Sequence, residues 1–240
     1  MSIPPPAWPP PHRFRLSRRT KRVLLRMHPE RGLEVVSPKP LSPARIAQLL
    51  ELHRPWIERH LPAHEPWPRD RLPADIQLHA LDQRWSIVHA PGIRKAKLRA
   101  CHAGRVLHVE GSPVEIWPLL HRWLTELARS HLLPPLHTLA LEHRLPLRGA
   151  SIRWAHSRWG SCSRRGTISL SARLLWLAPD EARYVMMHEL THLEHFHHGP
   201  AFWQALEARW PGAGMIDRRM RRQHPPLPSW LPLLTDKCLK

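Results

Sequence analysis

The chain contains His188-Glu189-Leu190-Thr191-His192, then His195, His197 and His198, then Gly199-Pro200-Ala201-Phe202-Trp203. On a helix, positions 188 and 192 lie one turn apart on the same face, so both imidazoles can reach a single cation. Zinc takes neutral imidazole nitrogen at about 2.0–2.1 Å, and a catalytic zinc site has three protein ligands and a fourth position open to water. Glu189 stands beside the first histidine, where a carboxylate can take a proton from the attacking water and pass it to a leaving group. The pattern points to metal-assisted hydrolysis, with His188 and His192 on the metal and Glu189 as the base.

Histidine is abundant here, 20 in 240 residues, and His-Glu-x-x-His arises by chance in roughly one chain in ten of this make-up. The setting separates this motif from a coincidence. Pro179, Asp180 and Glu181 make a good first helical turn, and Ala182, Val185, Met186, Leu190 and Leu193 follow at helical spacing. A solvated histidine-rich helix has no need of that apolar stripe. The third ligand stays open between His195, His197 and His198. His195 is expected to remain on the helix, where a ligand would crowd the metal toward the axis. Gly199-Pro200 reads as a chain reversal able to swing His198 back over the metal.

A second block lies upstream: Arg158-Trp159-Gly160-Ser161-Cys162-Ser163, then Gly166-Thr167-Ile168-Ser169-Leu170. Together the two blocks resemble the YgjP-like zinc metallopeptidase family, also called DUF45 or M48-like. The resemblance covers residues 18–225 and is most specific over 157–203. It implies His188, His192 and His198 as ligands of Zn2+, Glu189 as catalytic base, and a peptide or protein substrate. Members have also been assigned nucleoside-triphosphate pyrophosphatase activity, which keeps a UTP-type triphosphate substrate as the alternative. Where the family often has Asn-Trp-Arg-Leu, this chain has Ser171-Ala172-Arg173-Leu174, a departure that bears on substrate choice.

The upstream block also makes sense by residue type. Gly160 permits a tight backbone passage, Trp159 is expected as a large buried anchor, and 167–170 alternates as a half-buried strand able to hold an extended peptide by edge pairing. Arg158, Ser169 and Ser171 are the candidate substrate contacts; for Arg158 an ion pair or stacking on a tryptophan competes. Cys162 reads as a small buried residue rather than a nucleophile. Tyr184, the single tyrosine, stands one turn before His188, where it could contact the site, and reads mainly as helix packing.

The positioning elements are expected as an α+β fold: a zincin-like catalytic helix packed on an antiparallel sheet, preceded by a strand-strand-helix portion. The strands fall at 18–27 and 32–36, and the helix runs from 42 or 43 to about 60. A proline-rich join at 61–73 leads to strands at 76–80, 84–88 and 106–109, then a helix over 113–133, after which Pro134-Pro135 interrupts it or starts another. The domain reading is a disordered proline-rich leader at 1–12, a single domain at 13–225 (β-rich over 13–115, catalytic and helical over 116–225) and a tail at 226–240.

Cys101, Cys162 and Cys238 are odd in number and widely spaced, which suggests no disulfide framework and fits a reducing cytoplasm. No membrane span or secretory leader is expected. The net charge of +18, from 37 Lys and Arg against 19 Asp and Glu, favours polyanionic partners. Its basic runs at 13–26, 94–99 and 218–222 are weighed as a nucleic-acid surface against a generally solvated, arginine-rich one. A DNA-associated SprT-like protease matches at the motif only, since no separate nucleic-acid module accompanies it.

Overall fold

The computed structural model describes residues 8–28, 32–60, 67–92, 95–155, 158–222 and 227–234. The chain divides into two compact units, residues 1–68 and 69–240, with the boundary inside the proline-rich join.

In the first unit, strands β1 (His12–Leu16), β2 (Leu24–His28) and β3 (Gly32–Ser37) form a sheet with β3 in the middle, parallel to β1 and antiparallel to β2. The 18–27 strand reading corresponds to β2, and β1 was not foreseen. Leu33, Val35 and Val36 are fully buried. Glu34 is buried among them and faces Arg15, Nε to Oε2 3.7 Å. Helix α1 (Pro43–Leu52) opens on Ser42, whose Oγ accepts from Arg45 N–H at 3.2 Å, with Pro43 pre-set for the first turn. The single helix expected over 43–60 is two: α1 stops at His53 and α2 (Arg54–His60) restarts. Pro55 has no N–H to continue the ladder to Glu51, whereas it suits the start of a new helix. Leu33, Val35, Leu50 and Ile57 form the core of this unit, and Trp8 packs against it. Trp8 Nε1 also donates to Glu51 Oε2 at 2.6 Å, so the proline-rich segment is anchored at residue 8. Residues 1–7 lie outside the described residues.

The second unit begins with β4 (Asp75–Leu78), β5 (Gln83–Ala90), β6 (Lys97–Cys101) and β7 (Val106–Glu110), in the order β4-β5-β7-β6. The basic run near 94–99 is thus partly a strand: Lys97, Arg99 and Cys101 are exposed, alternating with half-buried Leu98 and Ala100. Helix α3 (Pro113–Glu142) follows. It is not interrupted at Pro134-Pro135, contrary to the sequence reading. Its buried stripe runs through Leu120, Leu124, Leu127, Leu132, Leu136 and Leu139, on both sides of the proline pair. The two carbonyls that lose their partners belong to Ser130 and His131, both exposed, where water can meet them.

β8 (Gly149–Arg153), β9 (Gly160–Cys162) and β10 (Thr167–Ser171) form the sheet beside the motif helix α4 (Pro179–Thr191). The α+β class holds. The expected antiparallel sheet is instead mixed, because β10 runs parallel to β8 and antiparallel to β9. Helices α5 (Pro200–Arg209) and α6 (Ala213–Arg222) complete the elements around α4. The segment expected as a tail packs inward: Trp230, Leu231, Leu233 and Leu234 are buried, and the Trp230 ring lies 6.1 Å from that of Trp117 and 5.8 Å from that of Trp176. Among the described residues, no helix is long and apolar enough to cross a membrane.

A continuous α3 makes positions 136 and 141 very different, since Leu136 is fully buried and Leu141 is 80% exposed. Leu136→Ala is expected to cost about 2–5 kcal/mol of unfolding free energy. Leu141→Ala is expected to stay within about 0.5 kcal/mol. Urea titration checks the pair, and equal losses would refute a helix that continues past the prolines.

Candidate metal centre

Helix α4 starts where its charge pattern says it should. Pro179 takes the first turn, Glu181 Oε2 accepts the Ala178 N–H at 3.2 Å, and Asp180 and Glu181 place negative charge at the N-terminal end of the helix dipole. Arg219 of α6 braces that turn through Asp180 (2.6 Å) and Glu181 (3.1 Å). The buried residues of α4 include Tyr184, Met187, Glu189 and Leu190. The helix ends at Thr191 with His192 as its cap, so His195 does not remain on it as the sequence reading expected. Leu193, Glu194 and His195 donate backbone N–H groups back to Leu190, Thr191 and Thr191, closing a tight turn. A second tight turn closes at Gly199, whose N–H donates to His197 O at 2.7 Å, so the reversal is built over 192–199 and not by Gly199-Pro200 alone. Gly199 then serves as N-cap of α5, with Pro200 in its first turn. Arg209, at the far end of α5, donates to Glu194 and ties the turn down.

This reversal carries His198 back to α4. One ring nitrogen from each of His188, His192 and His198 lies within 4.8 Å of the others, and His198 Nε2 is 2.9 Å from His188 Nε2. Beneath them is Phe202, fully buried, with its ring centroid 4.9, 4.6 and 4.8 Å from those of His188, His192 and His198. Trp203 closes the side, 6.0 Å from the His198 ring. His195 and His197 lie outside the group; His195 contributes its carbonyl, which faces His192 Nδ1 at 2.9 Å. A carbonyl only accepts, so His192 carries its proton on Nδ1, and its Nε2 lone pair is free to bind a cation. Burial, followed by the His192 and His198 charges, pushes the His188 imidazole down to about 3. The His192 imidazole is lowered as well, chiefly by burial. These two imidazoles are thus held as neutral donors, and the three-nitrogen set fits a divalent cation such as zinc.

Glu189 is only 7% exposed, and burial pushes its carboxyl up to about 7 against the opposing pull of Arg158. It packs against β9 at Gly160. A Cβ there would stand 2.6 Å from Glu189 Cγ and 2.7 Å from Oε1, so the backbone passage read from the sequence is an approach to the carboxylate itself. Cys162, on the same strand, is pushed up to about 11 by burial and then by Glu189, which keeps it a thiol.

The candidate substrate contacts Arg158, Ser169 and Ser171 all line a cleft of about 380 Å³ over the β8-β10-β9 sheet, together with Arg153 and Ser161. Ser171 is 1% exposed and its hydroxyl is engaged in the fold: it donates to Ala155 O at 3.3 Å and accepts from Arg173 N–H at 3.3 Å. Stacking on tryptophan, weighed for Arg158, belongs instead to Arg173, whose guanidinium lies 4.9 Å from the Trp159 ring centroid. Edge pairing by the 167–170 strand is ruled out, because β10 has β8 on one side and β9 on the other. The edge nearest α4 belongs to β9. Ser157 and Cys238 lie outside the described residues. The basic run at 218–222 is partly engaged: Arg219 pairs as above, and Arg221 Nε lies 2.7 Å from Asp217 Oδ2.

Sequence reasoning missed Phe202 as the floor under three imidazoles, having used it only as a family marker, and missed Asp217 altogether. Its Phe-Trp spacing after His198 was the available signal for the first; nothing local marks the second. Gly160→Ala forces a methyl group into the carboxylate and is expected to destabilise the chain by about 1–3 kcal/mol. Chemical denaturation measures this, and an unchanged midpoint would mean that β9 and α4 do not meet so closely.

Among solved structures, the chain is similar to the metallopeptidase zymogen of Pyrococcus abyssi abylysin. The identity is 30%, covering 40% of this chain and 99% of that one, with a TM-score of 0.33. No curated protein matches. The family model described as YgjP-like, metallopeptidase domain, matches residues 21–223, and the chain belongs to that family.

Proposed function

We propose that this chain is a zinc-dependent metallopeptidase that hydrolyses peptide bonds, with His188, His192 and His198 as the metal ligands and Glu189 as general base. The observation that carries the reading is the convergence of three imidazole donors within 4.8 Å of one another at the end of the helix that also bears the buried Glu189. A zinc ion bound there supplies a Lewis acid that polarises a carbonyl and makes water acidic enough to attack near neutral pH. The chain's own groups do the rest. Glu189, with its proton affinity raised by burial to about 7, accepts the proton of the attacking water and returns it to the leaving amine nitrogen. Phe202 keeps the imidazoles from turning away, and Gly160 lets the carboxylate sit where it does. Among the described residues β9 is an edge strand of its sheet and offers backbone groups for an extended peptide, and the cleft holding Arg158 and Ser169 lies over the same sheet.

A phosphoanhydride substrate is the second reading. The observation in its favour is that Arg153 and Arg158 both line the cleft, and Arg158 lies close enough to Glu189 to lower its proton affinity. The purified zinc form, assayed in parallel on unfolded protein and on nucleoside triphosphates with Glu189→Gln as control, decides between the two. Proteolysis without triphosphate cleavage is expected. Glu189→Gln is expected to keep its zinc and lose at least 100-fold in turnover; full activity in that variant would end the mechanism. In a metal analysis of the same preparations, His198→Ala should lose most of its zinc, while His195→Ala and His197→Ala keep theirs. Equal loss from His195→Ala would move the third ligand.

A further inference from the structure

Tyr184 is 3% exposed, and its hydroxyl lies between two groups that the sequence keeps far apart. On one side, one turn along α4, His188 Nδ1 is 3.3 Å away, with the rings 5.8 Å apart. On the other, Asp217 of α6 presents Oδ1 at 3.0 Å. Arg221, one turn further along α6, holds the second oxygen of Asp217 through Nε at 2.7 Å.

We propose that Tyr184 and Asp217 are positioning residues that fix the tautomer and direction of His188, so that its Nε2 lone pair faces the metal group. The donor inventory leaves one arrangement. A carboxylate ion-paired to arginine only accepts, so the phenol must donate its single proton to Asp217. The phenol oxygen is then left with lone pairs and can only accept from His188, which places the imidazole proton on Nδ1 and the lone pair on Nε2. His192 reaches the same state through the His195 carbonyl. The metal face of α4 is thus aligned from behind by two different devices, one local and one reaching across to α6. Groups that hold the outer nitrogen of a ligating imidazole typically contribute 10–100-fold in metal affinity.

This inference rests on His188 being a metal ligand, as proposed above. The test uses the full chain, with zinc titrated against a chromophoric chelator and thermal unfolding of the metal-free protein measured alongside. Tyr184→Phe is expected to bind zinc 10–100-fold more weakly, with its metal-free unfolding temperature close to that of the parent. Asp217→Asn keeps an amide oxygen that can accept from the phenol, so it should recover much of the affinity that Asp217→Ala loses. Parent-like zinc affinity in Tyr184→Phe overturns the relay. So does a loss of affinity matched by an equivalent loss of metal-free stability, and so does an Asp217→Asn variant no better than Asp217→Ala. A parent chain that takes no zinc would overturn the metallopeptidase reading and the relay together; a parent that binds zinc with an unaffected Tyr184→Phe overturns the relay alone.

Discussion

Helix α4 and strand β9 approach each other so closely at Gly160 that no side chain fits between them, and the carboxyl group of Glu189 occupies the space that results. Removing a carboxylate from water is costly, and the group responds by holding its proton more tightly, up to about 7. The same approach that raises the affinity of Glu189 for protons also fixes where it sits. Much of the second unit serves this contact. The β8-β10-β9 sheet holds β9 in place through β10, whose Ile168 and Leu170 are buried beneath it, and α3 packs against both β8 and α4.

The histidine group obeys a different constraint. Three imidazoles crowded together repel if protonated, and burial already penalises the charged forms of His188 and His192. His188 and His192 are thereby favoured in the neutral form, which is the form a metal takes. Their orientation then depends on what their outer nitrogens meet, a backbone carbonyl for His192 and a phenol for His188. Phe202 fills the remaining side with a ring that competes for neither protons nor metal.

What was legible in the sequence was what depends on local spacing. His188 and His192 are joined by one helical turn, and Pro179 to Glu181 announces that helix. The alternation at 167–170 marks a strand but says nothing about which neighbours it acquires, so the parallel pairing with β8 was hidden. Pro134-Pro135 misled, because a local rule predicted a break where a buried leucine stripe and two exposed carbonyls made continuation tolerable. Pro55 went unweighed and did end a helix. Asp217 was invisible because its partner, Tyr184, lies 33 residues away and no pattern links the two. The reason Gly160 is a glycine emerged only when α4 was laid against β9.

The donors of the metal group do not come from one element. His188 stands on α4, His192 caps its C-terminal end, and His198 immediately precedes the N-cap of α5. Without the 192–198 turn, the end of α4 would offer only two of the three nitrogens. In the proposed metal site, affinity for the cation and closure of that turn would therefore be linked by mass action. Each tenfold rise in free metal above its dissociation constant adds about 1.4 kcal/mol to the stability of the closed arrangement. With one cation on all three imidazoles, as proposed, the first turn of α5 would be held by that metal as well as by the Glu194 to Arg209 tie. Its rate of amide exchange would then report how much metal the surroundings contain.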